Sequence, residues 1–472
     1  MQPTSTICAC ATAPGGALGI IRVSGPDAIA ITDLLFSAHN GRSLAQTPAG
    51  RVVYGVLHQA GDSNDVIDDV LVSLFRAPHS YTGDDTTEIS CHGSPYIIQT
   101  ILQALCSKGC RLAEPGEYTR RAFMAGKMDL TQAEAVASLI AARHATAHRV
   151  ALNQLRGAVT TEMHTLREQM LHLNTLLELE LDFSDHEDLE FASRDDLRRL
   201  ADKACHRIAA LAATFRIGQA IKRGVPVALI GETNAGKSTI LNALVGEERA
   251  IVSDIHGTTR DTIECTAVIA DITCRFIDTA GLRHTTDAIE RIGQERARRR
   301  AAHADLIVWV IDATAVENAA ALVPEITALC HEGATLIAVI NKTDLLTAAA
   351  AAISSPDHLV ATLSPHLPAG TPILAISAHT AEGIDHLREV LAAHLPHPTD
   401  EAVIITEARH HDSLVHAHDA LQRMLQALDA GLPADLVSED LRDAIHHLSS
   451  VTGEITTDAT LQRIFSGFCI GK

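Results

Sequence analysis

The chain has 472 residues, which at roughly 150 residues per domain implies about three domains, each large enough for its own core. Its 38 Lys+Arg against 58 Asp+Glu give a formal net charge of -20, which excludes a protein that coats nucleic acid through bulk charge and leaves room only for a local basic patch. The ten cysteines show no paired CxxC and no zinc-type Cys/His spacing, only Cys8-x-Cys10 and Cys106-x3-Cys110, so no metal framework is expected and the thiols fit a reducing cytoplasm.

The opening stretch, "MQPTSTICACATAPGG", has no positively charged region and no long apolar run. The longest apolar stretch, around "ADLIVWVIDATAV", is too short to span a bilayer, so a soluble cytoplasmic protein with no membrane partner is expected. Residues 1–120 alternate β-branched runs with Gly/Pro/Asp turns, as in "ALGIIRVSGPDA", "RVVYGVLHQ" and "TTEISCHG", with a helical "SPYIIQTILQALCSKG" among them. That pattern reads as an α+β domain. Residues 121–223 change texture. From about Thr131 glycine and proline almost vanish, and "LREQMLHLNTLLELELDF" repeats apolar residues at three-and-four spacing, the mark of long amphipathic helices.

Residues 224–396 carry five apolar strands, "VPVALIG", "CRFIDTAG", "ADLIVWVIDA", "ATLIAVINKTD" and "TPILAISA", most of them separated by helical segments. This alternation predicts a doubly wound parallel sheet. Residues 397–472 are helical again, through "EARHHDSLVHAHDALQRMLQALDAG" and "EDLRDAIHHLSSVTGEI". Two helical stretches around one α/β unit predict an α/β domain inserted into a single helical domain. Finding the two stretches far apart would overturn that expectation.

"VALIGETNAGKSTI" holds G-x4-G-K-S from Gly231 to Ser238, after a strand and before a helix. Glycines let backbone N–H groups wrap phosphates, Lys237 reaches the outer ones, and the Ser238 hydroxyl faces magnesium. Further elements follow in order. "GTT" at 257–259 supplies Thr259 as a second magnesium ligand, "DTAG" at 278–281 the strand-end Asp278 and the phosphate-sensing Gly281, "NKTD" at 341–344 Asn341 and Asp344, and "SA" Ser377 and Ala378 behind the base. A carboxylate at Asp344 accepts two N–H bonds from guanine, a donor pair adenine lacks, so the expected nucleotide is GTP. The full expected set is Asn234, Ala235, Gly236, Lys237, Ser238 and Thr239; Ser253, Asp254, Ile255, His256, Gly257, Thr258 and Thr259; Asp278, Thr279, Ala280 and Gly281; and Asn341, Lys342, Asp344, Ser377 and Ala378. The alternative is a P-loop fold that does not hydrolyse.

In Ras-like proteins a glutamine after the DxxG glycine orients the attacking water. Here the next residue is Leu282, which neither donates nor accepts. "GLRHTTDAIERIGQERARRR" offers Glu290 instead, along with a local basic run that includes Arg298, Arg299 and Arg300. For Glu290 the alternative is a solvated surface carboxylate, and for the arginines a solvated helix face.

"SYTGDDTTEISCHG", "PGEYTRRAFMAGKMDLTQAEAV", "GETNAGKS", "SDIHGTTRDTIE", "DTAGLR" and the terminal "FCIGK" together resemble the MnmE (TrmE) family of tRNA modification GTPases over nearly the whole chain. The resemblance implies a potassium-activated GTP hydrolase, homodimeric through an N-terminal domain that binds a reduced folate. Its implied partners are tRNA and the flavoprotein MnmG, in a heterotetramer that installs an aminomethyl or carboxymethylaminomethyl group at C5 of the wobble uridine. It also implies residue roles. Potassium is held by Asn234, Ser253, Ile255 and Thr258, and Glu290 becomes the group that orients water, indirectly through a second water. Folate contacts fall on Arg22, Glu88, Lys127 and Lys472, a cation facing the folate's glutamate tail and a carboxylate facing its pterin.

The implied tail position puts Cys469 close to the one-carbon unit, where a thiolate adding to a uracil ring would activate C5. The alternative is a tail that acts as a lid whose cysteine merely packs. This chain departs from the family in reading "TAPGGALG" where "PPGRGG" is usual, which alters the first loop near the folate, and in having Glu232 and Thr233 where "RP" is frequent. With 3% aromatic residues it offers few stacking platforms for bases, so tRNA reading is expected to depend on the partner. Two other classes stay open: a ribosome-assembly GTPase, weakened by the acidic helical flanks, and a folate-binding scaffold whose GTPase regulates assembly.

Overall fold

The computed structural model describes residues 5–13, 15–59, 62–182, 194–246, 264–278, 303–331, 333–346, 355–396 and 402–471. Its chain divides into two compact units: Met1–Ala141 with Ala151–Ala209 and Asp412–Lys472, and Ala142–Val150 with Ala210–His411.

The first unit opens on seven strands: β1 Ile7–Cys10, β2 Leu18–Ser24, β3 Phe36–Ala38, β4 Val52–Gln59, β5 Asp62–Phe75, β6 Thr86–His92 and β7 Arg111–Leu112. They form one sheet in the order β3-β4-β5-β6-β2-β1-β7, with β1 and β7 parallel and the other neighbours antiparallel. Val53 and Leu57 of β4, Val70, Val72 and Leu74 of β5 and Ile89 of β6 are buried, while Val52, Tyr54 and Leu71 between them are exposed. This period of two marks a sheet covered on one face. The cover is α1 Ala28–Leu35 and α2 Pro95–Ser107, which add Ile31, Leu35, Ile101 and Leu105 to the core. Pro95 sits in the first turn of α2, where a missing N–H costs no helical hydrogen bond.

Helices α3 Glu117–Met124, α4 Leu130–Ala141, α5 Ala145–Leu155, α6 Ala158–Asp182 and α7 Arg194–Arg223 follow, and helices Ala408–Asp429, Ala434–Thr452 and Asp458–Ser466 end the described chain. Leu166, Met170, Leu173 and Leu177 form the buried stripe of α6, and Val437, Leu441, Ala444 and Leu448 that of Ala434–Thr452. These two helices pack together, with Arg167 Nε donating to Ser449 Oγ at 3.2 Å and Arg442 to Glu178 at 3.1 Å. Helical stretches from before and after the α/β segment thus pack on one another, each burying the apolar face that its three-and-four spacing builds.

The second unit is built on β8 Val225–Gly231, β9 Glu264–Ile269, β10 Ile272–Asp278, β11 Leu306–Asp312, β12 Thr335–Asn341 and β13 Ile373–Ala375, in the order β13-β12-β11-β8-β10-β9. All neighbours are parallel except the β9–β10 hairpin. The five strands expected from the sequence are β8, β10, β11, β12 and β13. The sixth, β9, escapes that reading because Cys265 and Thr266 are half-exposed and Val268 is exposed, so it has no continuous apolar run. The inner strands have one. Val227, Leu229, Val308 and Val310 face one core and Ala228, Ile230, Ile307 and Trp309 the other.

Within this unit the last turns of α7 lie beside the returning chain. Ile405 N–H donates to Thr214 Oγ1 at 3.0 Å, Gln219 Nε2 donates to the Thr406 carbonyl at 2.6 Å, and Lys222 pairs with Glu407. Among the described residues no helix is long and apolar enough to cross a membrane.

Candidate functional site

In the second unit, the C-terminal ends of β8, β11 and β12 bring three loops together. The P-loop leaves β8 at Gly231 and enters α8, Lys237–Val245. Gly236 has φ +97, and a Cβ there would lie 2.1 Å from Asn341 Nδ2, so this position takes glycine on both counts. Asn234 also adopts a left-handed backbone, φ 65, and its side chain is exposed. Lys237 is buried and its Nζ donates to the carbonyls of Gly231 and Glu232, 2.9 Å each. Ser238 and Thr239 are exposed on the first turn of α8, where backbone N–H groups and the helix dipole favour an anion.

Asn341 ends β12 and is buried. Its Nδ2 donates to the Ala235 carbonyl and its Oδ1 accepts from Ala378 N–H, each at 2.9 Å. Both ends of this amide are therefore spent on tying the P-loop to the "SA" loop. Asp344 is exposed, and its Oδ1 accepts from Ser377 Oγ at 2.6 Å. That bond fixes the orientation of the carboxylate. Lys342, with φ 69, pairs with Asp312 at 2.8 Å. Burial works against ionising Asp312, but Lys342 and the Thr314 N–H and hydroxyl outweigh it and hold the carboxyl below its ordinary range. The sequence reading missed Asp312, although it closes the quoted "ADLIVWVIDA" strand.

In the first unit, β2 and β6 set Arg22 opposite Glu88, and Arg22 Nε and Nη2 both reach Glu88 Oε1, at 2.9 and 2.7 Å. The Arg22 guanidinium lies over the rings of both Tyr81 and Tyr118, their centroids 5.5 and 5.6 Å from Cζ, within cation–π range. Tyr118 donates its hydroxyl to the Arg22 carbonyl at 2.8 Å, and burial raises both phenols' pKa. These two of only four tyrosines lie inside quoted motifs, "SYTG" and "GEYTRR", which is the signal that would have found them.

The tail comes to the same place. Arg22 Nη1 lies 3.5 Å from the Gly471 carbonyl. Gly471 has φ +95, and a Cβ there would lie 2.4 Å from the Cys10 carbonyl. Cys469 is exposed, with its carbonyl 3.5 Å from Gly116 N. Lys127 donates to the Pro78 carbonyl, in the loop that leads to Tyr81. The structure brings together Arg22, Glu88 and the tail. It pairs Arg22 with Glu88 directly, so the guanidinium is already neutralised by a carboxylate.

Ser253, Asp254, Ile255, His256, Gly257, Thr258, Thr259, Thr279, Ala280, Gly281, Glu290 and Lys472 lie outside the described residues, and Asp278 is described by its backbone alone, at the end of β10.

Residues 6–127 match the family described as GTP-binding protein TrmE N-terminus, and residues 130–469 the family described as MnmE helical domain. The chain is similar to the tRNA modification GTPase MnmE of Bacteroides fragilis, 51% identical over 473 residues that cover 99% of each chain. Its likeness to the same-named protein of Parabacteroides distasonis is 49% over 476 residues, covering 99% of this chain and 100% of that one. Among solved structures, the FeoB G-domain from Methanococcus jannaschii is 27% identical with a TM-score of 0.27, covering 36% of this chain and 97% of that one.

Proposed function

Because the chain belongs to the MnmE family of tRNA modification GTPases, we propose that it hydrolyses GTP in its second unit and uses that cycle in modifying tRNA. The observation that carries this reading is the convergence at Asn341, which ties the phosphate loop to the base loop beside a clamped Asp344. Lys237 and the first turn of α8 supply positive potential to the outer phosphates, and Asp344 selects guanine. Ser238 supplies a hard oxygen to magnesium, with Thr259 as its second protein ligand. Magnesium, when bound, neutralises charge on the phosphates.

The exposed Asn234 supports a potassium site shared with Ser253, Ile255 and Thr258, in which the cation does the work of an arginine finger. Turnover is then faster in potassium than in sodium. Leu282 cannot place the attacking water, so Glu290 takes that role. Glu290→Ala is expected to lower kcat by about 10²–10⁴-fold with little change in GTP affinity, measured by single-turnover hydrolysis in potassium. A loss under about threefold, the level of a surface substitution, returns Glu290 to the solvated carboxylates.

In the first unit, Arg22, Glu88, Lys127 and Lys472 fit a reduced folate. The preformed Arg22–Glu88 pair offers a donor beside an acceptor, which suits a heterocycle edge, while a lysine takes the folate's carboxylate. The exposed thiol of Cys469 supports attack on the uracil ring. The chain acts as a homodimer with the MnmG flavoprotein and tRNA in the cytoplasm, adding an aminomethyl or carboxymethylaminomethyl group at C5 of the wobble uridine. Nucleoside analysis of tRNA from a deletion strain tests this. The wild-type chain is expected to restore the C5-substituted uridine and Cys469→Ser to fail. Restoration by the serine variant leaves the scaffold reading in its place, and failure of the wild type removes the reading altogether.

A further inference from the structure

Beside the residues assigned so far, the first unit carries an exposed imidazole paired with a buried carboxylate. His92 ends β6 with its side chain 69% exposed, whereas the Asp68 carboxylate next to it is only 8% exposed. Both oxygens of Asp68 serve this one residue. Oδ2 accepts the His92 backbone N–H at 2.8 Å, and Oδ1 lies 2.8 Å from the ring Nδ1. A carboxylate oxygen accepts, so in the tautomer that makes this bond Nδ1 donates and Nε2 carries the lone pair. Ending the strand needs only the backbone bond. The second bond fixes the tautomer and the ring, as the orienting carboxylate of a nucleophile–base–acid array does.

The place matters as much as the pair. Leu18 lies opposite His92 in the β2–β6 register, and a Cβ on Gly93 would meet the Gly16 carbonyl at 1.9 Å. The loop between β1 and β2 therefore lies against His92–Gly93. At the start of the same loop, Gly471 lies against Cys10 and Ala11. Glu88 is four residues back along β6, about 13 Å at strand spacing. The tail and His92 thus border one loop, and the Arg22–Glu88 pair reaches the tail at the Gly471 carbonyl.

Resting on the uridine reading above, we propose that His92, oriented by Asp68, is the base that takes the proton from C5 of the uracil ring. Once carbon is bonded to C5, the hydrogen there leaves as a proton to Nε2. Its C–H electron pair becomes the C5=C6 double bond as the nucleophile added at C6 departs with its own pair. The imidazolium that forms is held by Asp68, and the exposed ring returns the proton to water.

The test uses the full chain with its flavoprotein partner and tRNA carrying tritium at uridine C5. His92→Ala is expected to lower both kcat and tritium release by about 10²–10⁴-fold, with the KM for tRNA little changed and the rate partly recovered by added imidazole. His92→Gln keeps a hydrogen-bonding side chain and is expected to be equally slow, and Asp68→Asn to displace the pH profile. Rates within threefold of wild type in both His92 variants overturn the proposal alone. So does a loss that imidazole fails to rescue and that comes with a lowered Tm, since that is a structural role. A wild-type complex that leaves uridine unmodified overturns the functional reading and this proposal with it.

Discussion

Glu117 is 2% exposed and paired with both Arg111 and Arg121. Burial would keep its proton on, but Arg111, the Glu114 N–H and Arg121 together outweigh that and lower its pKa from 4.5 to about 2. The folded-state value lies below the unfolded one, so the stability it contributes is complete above pH 4.5 and drains away as the pH falls toward 2. That contribution is on the order of 2–3 kcal/mol. Glu117→Gln is expected to lower the urea midpoint at pH 7 and to differ much less from wild type at pH 3. A constant difference at both pH values would show that packing, not charge, holds the residue. Asp344, on the proposed function, acts on ligand choice instead. Its clamped carboxylate matches the N–H pair of guanine, and Asp344→Asn replaces an acceptor with a donor, so the preference is expected to move toward xanthine nucleotides. Competition of GTP, XTP and ATP for the full chain measures it, and equal ATP and GTP binding by the wild type would refute the match.

At the scale of elements, the second unit depends on loops held at strand ends. Truncating Asn341 to alanine leaves the Ala235 carbonyl and the Ala378 N–H buried without their partner. Each orphaned group costs about 1–3 kcal/mol. The expected result is a lower Tm with weaker GDP binding, read by calorimetry; weaker binding at an unchanged Tm would mean that Asn341 serves the base and not the loops. These loops were legible because G-x4-G-K-S and NKTD are local patterns whose chemistry fixes their spacing. The inner strands were legible because burial on both faces writes an unbroken apolar run. β9 was not, since a half-exposed edge strand has no such run. The Arg22–Glu88 pair was legible only as two separate contacts, because the β2–β6 register that joins residues 66 apart is set by the fold. His92 was inside a quoted motif, but nothing local shows that Asp68 turns toward it.

For the whole molecule, two compact units with separate cores imply separate responses to ligands. A nucleotide at about 100 times its Kd adds about 2.7 kcal/mol to the unit that binds it. Calorimetry of the full chain is expected to resolve two transitions, with magnesium and GDP raising one and a tetrahydrofolate derivative raising the other. Two ligands that move the same transition equally would show a single cooperative body. The staples between the end of α7 and the returning chain, Thr214 to Ile405, Gln219 to Thr406 and Lys222 to Glu407, have a further consequence for how such a chain is put together. A segment whose two ends are already fastened side by side asks its host for only a narrow gap, because little chain entropy is lost in joining neighbouring ends. It can be spliced in, replaced by a homologous cassette or excised and bridged by a few residues, and the helices that flank it meet the same short break each time.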